Sequence, residues 1–197
     1  GAMVDVQFTG STSSITYSQC TNLLNGNCRA WNHTYPSSVQ FYGPTQMGVG
    51  DAFGGSLRYD STTPLSGISS DGSQATHLYG VTDFNFNIGS LTLPDLDLEK
   101  SGLGHFAIIN NRGTTDSFYL TQWLSGQDWF STVSISLFDW GGTAYSDFTV
   151  PIIFNLDQFD SLYFSVAFLR RSDGDQVHLS GFLTSFDSSV SSVPEPS

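Results

Sequence analysis

The 197-residue chain carries 18 acidic against 6 basic side chains, a net charge of -12 and a pI near 4.2. A surface this acidic repels phosphate backbones and anionic headgroups, which excludes nucleic acid and an anionic membrane face as partners. Aromatics make up 14%, led by 16 Phe, while charged residues are 12% and Gly numbers 20; this is a composition of strands and turns at the length of one β domain.

Gly1-Ala2-Met3 reads as the remnant of a cleaved tag, so residues 1–3 are set aside. Val4, Val6 and Phe8 alternate with Asp5, Gln7 and Thr9, a period of two that predicts a strand running on through Ile15 and Tyr17. The polar stretch from Ser18 to Ser38 holds both cysteines, eight positions apart, with the strong turn signal Asn25-Gly26 between them. The expected pairing is a Cys20–Cys28 disulfide, stabilising by roughly 2–3 kcal/mol through the short loop it closes. Free thiols are the competing reading, and a zinc site would have to find two more ligands elsewhere. Asn32-His33-Thr34 fits a glycosylation sequon, a pattern that arises often by chance.

A short strand over Val39–Tyr42 leads into Gly50–Pro64, GDAFGGSLRYDSTTP. Phe53, Gly55, Leu57 and Tyr59 take one face of that strand, and the Asp60–Pro64 turn ends it. Further strands are predicted over His77–Ile88, Leu91–Leu93, His105–Asn110, Ser117–Trp123 and Val133–Trp140, with loops at Gly126–Phe130 and Gly141–Ser146. In the next strand Leu162, Phe164, Val166 and Phe168 form the most apolar face in the chain. Their neighbours Tyr163, Ala167 and Leu169 are apolar as well, which predicts a central strand covered on both sides. The turn at Ser172–Asp175 joins it to Val177–Phe186. The only helical candidates are short, near Leu120–Leu124 or Asp157–Leu162.

The fold class is therefore all-β: a two-sheet antiparallel β-sandwich of about ten strands, compatible with a jelly-roll, and with a wide barrel as the alternative. One domain covers residues 4–187. Residues 188–197 are expected as a flexible stalk, because Ser185 to Ser192 is small and polar and buries little.

Catalytic chemistry is poorly supplied. There is no Gly-x-Ser-x-Gly, His33, His77, His105 and His178 are scattered, and the only Glu residues are Glu99 and Glu195. No catalytic residue is assigned, and no cofactor is required. Calcium is the candidate ion: Asp95, Asp97 and Glu99 alternate along an extended segment and would present three carboxylates on one face, although the spacing fails the EF-hand loop. Glycan binding is the second functional class. Trp31 and Trp129 lie in predicted loops and are the candidate stacking platforms.

Five segments taken in order, GDAFGGSLRYDSTTP, LYGVTDFNFNIGSLTL, IINNRGTTDSFYL, LFDWGGTAYSDFTVP and LSGFLTSF, followed by Val193-Pro194-Glu195-Pro196, resemble the PEP-CTERM class of exported bacterial proteins. The resemblance implies a surface or matrix protein of a Gram-negative bacterium, linked to exopolysaccharide, biofilm or floc formation. It also implies that the Val-Pro-Glu-Pro motif opens a sorting signal recognised by an exosortase and continuing into a transmembrane helix, the chain's sole tie to the membrane. The expected function is a structural or adhesive role without catalysis, with a carbohydrate-binding module as the alternative.

Overall fold

The computed structural model describes residues 2–64, 67–68, 74–102, 104–110 and 115–192. Val193, Pro194, Glu195 and Pro196, the expected sorting motif, lie outside them. Eight long strands dominate: β1 (Ala2–Cys20), β2 (Ala52–Asp60), β3 (Gln74–Ile88), β4 (Gly104–Ile109), β5 (Asp116–Ser125), β6 (Trp129–Asp139), β7 (Ser161–Arg170) and β8 (Gln176–Ser192). Each pairs antiparallel with the next, from β1 against β2 through β7 against β8. The ring then closes, because β8 returns to β1 from Ala2↔Ser192 to Ser18↔Gln176.

The all-β expectation holds, but hydrogen bonding runs unbroken around eight strands where two separate sheets were expected, and the connectivity is up-and-down rather than jelly-roll. Length explains the closure. At 19 residues, β1 pairs β8 along one edge and gives the other edge to β2 over Met3–Ser11, then to the short strand Trp31–Thr34 over Tyr17–Cys20. β3 divides its edges in the same way, with Val81–Ile88 on β2 and Gln74–Val81 on β4. Closure leaves these strands without the exposed edges that invite aggregation. Among the described residues the helical content is one 3-10 turn, Leu156–Gln158, and the other helical candidate, Leu120–Leu124, lies inside β5.

The interior is filled by the alternating apolar face of every strand: Val4, Val6 and Phe8 of β1, Leu57 of β2, Phe86 of β3, Phe106 of β4, Phe118 of β5, Ile135 of β6, Phe164 of β7 and Phe186 of β8 all join one buried cluster. Opposite walls touch. Phe53 of β2 stacks on Phe164 of β7 with centroids 3.8 Å apart, and Phe118 of β5 meets Phe186 of β8 at 6.5 Å. Each such ring contributes roughly 1.5–3 kcal/mol by leaving water. Gly55 makes room for this: a Cβ there would stand 2.6 Å from the Phe8 ring and 2.2 Å from the Asn85 carbonyl.

One barrel end is capped by two hairpins inserted between β1 and β2. The first pairs Leu23–Leu24 with Asn27–Cys28 and turns on Asn25 and Gly26, whose φ angles of 53° and 75° suit the Asn-Gly dipeptide. The predicted Cys20–Cys28 disulfide closes it, with the two Cα atoms 5.8 Å apart. The second pairs Ser38–Gln40 with Gln46–Gly48 and buries Phe41, Tyr42 and Met47. Asp175 ties this end together, accepting from the Cys20 amide at 2.8 Å, the Tyr17 hydroxyl at 2.5 Å and Arg170 at 3.4 Å. The hydrogen bond to Asp175, with burial behind it, pushes the Tyr17 phenol up to about 12.

Residues 188–192, expected in a stalk, are the last turn-free stretch of β8 and pair with β1 from Ser188↔Val6 to Ser192↔Ala2; residues 2 and 3, set aside as a tag remnant, complete that ladder. Backbone pairing orders this polar stretch where apolar burial could not.

Candidate functional site

With the interior packed by its own side chains, binding chemistry has to be sought on the outer wall. β7 is central in the wall, between β6 and β8, yet its outward side is not covered as expected. Tyr163 points out and is 38% exposed; Phe182 beside it on β8 is 51% exposed, and Trp140 just past β6 is 52% exposed. These rings form one strip with Phe138 of β6 and Tyr119 of β5. Tyr163 and Phe182 are 5.2 Å apart, Phe138 lies 5.9 Å from Tyr163 and 5.5 Å from Tyr119, and Trp140 stacks on Phe138 at 5.2 Å with planes 4° apart.

Register explains the assembly. Tyr119, Ser136, Tyr163 and Phe182 stand opposite one another in a row across β5–β8, and Phe138 occupies the adjoining row. One step further along the strands comes a row of hydroxyls, Thr121, Ser134, Ser165, Ser180 and Ser14, one from each of five neighbouring strands. Thr121 and Ser134 are 3.3 Å apart and Ser14 and Ser180 2.6 Å apart. The next row holds Trp123, Thr132, Ala167 and His178.

Charge is confined to the two ends of this wall, where Arg171 donates to Ser125 at 2.9 Å and the Asp160 carboxylate accepts from the Trp140 amide at 2.8 Å. The outward positions over 117–125, 130–138, 161–169 and 176–184 include no Asp, Glu, Lys or Arg. Desolvation lowers the pKa of His178 on this wall and of His105 on the neighbouring β4, which stacks on Trp123 at 4.6 Å. The opposite wall differs, with the exposed ion pair of Arg58 and Asp5 at 2.6 Å on β2 and β1.

The residues singled out from the sequence lie elsewhere. Trp31 opens the edge strand Trp31–Thr34 and is 39% exposed, at the disulfide end of β1. Trp129, expected in a loop, is the first residue of β6; it meets Phe41 and Tyr42 edge-on at 5.2 and 5.1 Å, with the Arg170 guanidinium 5.7 Å away. That packing anchors the second hairpin to the barrel.

The three carboxylates considered for calcium divide. Asp95 turns inward, where one oxygen accepts from the Tyr42 hydroxyl at 2.6 Å and from the amides of Asp97 and Leu98. Asp97 and Glu99 stay exposed and border a surface cleft of about 390 Å3 with Asp128 and Trp129. Among the described residues no three His, Cys, Asp or Glu side chains converge on a metal position.

The aromatic strip did leave a trace in the sequence: Tyr163, Phe138 and Phe182 fall on the polar phase of their strands, out of step with the core. Apolar residues on both phases suggest a covered strand as readily as an exposed binding face, and only the fold separates the two. Comparison with protein-family models, with curated proteins and with solved structures found no match to the chain, so the strip itself has to carry the functional argument.

Proposed function

We propose that this chain is an exported, non-catalytic adhesive protein of the extracellular matrix, which holds polysaccharide on the outer face of β5–β8. The observation behind the reading is an aromatic strip, with no charged side chain among its own residues, left open on the wall of an acidic barrel whose interior is full. Monomeric proteins seldom leave a contiguous apolar patch open without using it. Aromatic rings stack on the C–H faces of sugars, and a neighbouring row of hydroxyls supplies donors and acceptors for sugar hydroxyls. The strip presents no carboxylate pair and no nucleophile beside a base, which favours binding over hydrolysis. The disulfide favours an oxidising compartment, and the resemblance to PEP-CTERM proteins favours the surface of a Gram-negative cell, with Val193-Pro194-Glu195-Pro196 as the start of an exosortase signal.

Sedimentation with the crude exopolysaccharide of the source cells tests the reading. Wild-type protein should co-sediment, and Trp140→Ala/Tyr163→Ala should stay in the supernatant while still unfolding cooperatively at a melting temperature only a few degrees lower. Equal retention of both proteins, or of neither, would overturn it. The same assay with and without chelator decides whether calcium takes part.

A further inference from the structure

Resting on that reading of the strip, we infer that its ligand is an uncharged, extended β-linked polysaccharide lying across the strands, and that acidic polymers are refused. Two observations carry this. The first is electrostatic. The protein bears a net charge of -12, and none of its 6 basic residues occupies an outward position on β5–β8. A polyanion approaching this wall meets long-range repulsion, and among the described residues the cation within its reach is Arg171, which donates to Ser125 at 2.9 Å at one end of the wall, away from the aromatic strip. An uncharged chain incurs no such repulsion, and no outward carboxylate has to be desolvated beneath it.

The second observation is geometric. Thr121, Ser134, Ser165 and Ser180 stand opposite one another on four consecutive strands, so their backbone positions repeat at the strand spacing, about 4.8 Å, while the Thr121 and Ser134 hydroxyls draw together to 3.3 Å. That backbone repeat is close to the advance of one hexopyranose in an extended β-linked chain, so successive sugars pass over successive strands of the row. Each hydroxyl keeps acceptor capacity beyond the bonds it makes to its neighbours. Tyr163 and Phe182, one row away, follow the same direction across β7 and β8 and offer ring faces alongside the chain. A coiled α-linked glucan does not keep this repeat, and an alternating acidic chain loses to the charge.

Affinity electrophoresis in chelator, at moderate salt, distinguishes these ligands. The gels contain hydroxyethyl cellulose (neutral, β-linked), dextran (neutral, α-linked) or alginate (acidic). Wild type should be retarded by hydroxyethyl cellulose and should run freely in the other two. Trp140→Ala/Phe182→Ala should bind hydroxyethyl cellulose about tenfold more weakly or worse, as expected for losing two stacking rings. Ser165→Glu, which leaves the rings in place and puts a charge in the hydroxyl row, should lose binding while keeping the wild-type melting temperature. Equal or stronger retardation by alginate or dextran, abolished by the ring substitutions, would overturn the ligand class and leave the adhesive reading standing. Unaltered binding by Ser165→Glu would overturn the placement of the chain along the row. Retardation by none of the three overturns the inference, while exopolysaccharide sedimentation judges the adhesive reading separately.

Discussion

Trp140 lies flat against Phe138, ring centroids 5.2 Å apart, on the outside of a barrel already packed with phenylalanine on the inside. The core is complete without this pair. Consecutive residues of β7 show the same division, since Phe164 faces the interior and Tyr163 faces water.

That division has a measurable consequence. Phe164→Ala should cost about 3–5 kcal/mol in urea denaturation, because it opens a cavity against Phe53 and Phe86. Tyr163→Ala should cost about 1 kcal/mol, the value of its contacts with Phe138 and Phe182. Equal losses would make the outer strip a structural element and remove its claim to be free for binding.

Reduction of the Cys20–Cys28 bridge should lower stability by roughly 2–3 kcal/mol, the loop-closure entropy of a short loop. Denaturant midpoints of the oxidised protein and of Cys20→Ser/Cys28→Ser measure it. Both forms should fold, since the hairpin sits outside the barrel ring; loss of the cooperative transition in the variant would show instead that the hairpin holds the ring together.

Acid should find a weak point at Asp139. Burial alone would raise its carboxyl, but the Thr143 and Gly141 amides at 2.6 and 2.8 Å, with the Thr143 hydroxyl and the Ala144 amide, outweigh burial and hold it below the ordinary carboxylate range. A depressed folded pKa gives stability that is fully present above the unfolded value near pH 4 and is lost as the pH falls through the folded one. Asp139→Asn should therefore be less stable than wild type at pH 7, with the difference shrinking below pH 4. A constant difference from pH 7 to pH 2 would show that the carboxylate charge plays no part.

Sorting is tested in the source organism. The full-length gene, expressed with and without the exosortase, should yield proteins of different mass and location if Val193-Pro194-Glu195-Pro196 is read as a signal. Identical mass and location in both strains would rule that out.

Much of the molecule is legible residue by residue. The alternation of Val4, Val6 and Phe8, of Phe84, Phe86 and Ile88, and of Phe164, Val166 and Phe168 marks strands whose apolar faces all enter one core. A period of two needs nothing beyond its own segment to be seen. The Asn25-Gly26 turn and the disulfide beside it are equally local. Two expectations failed where the deciding partner is remote. Ser188–Ser192 looks like a stalk by composition, but it is ordered by pairing with residues 2–6 at the other end of the chain. Trp129 looks like an exposed loop residue, but Phe41 and Tyr42 arrive from a hairpin far upstream to cover it.

The sequence by itself determined that this is an all-β, acidic protein with a braced hairpin and little catalytic inventory, because composition, charge and short-range periodicity are properties of segments. Whether the strands form two sheets or close into a ring, and whether the second apolar face of β7 is buried or open, was decided by the tertiary structure alone. Alternation states which side chains share a face. The β6–β7 and β7–β8 pairings bring Tyr163, Phe182, Phe138 and Trp140 together, and the long-range ladder between β1 and β8 closes the ring that turns the other face inward and leaves this one on an open wall.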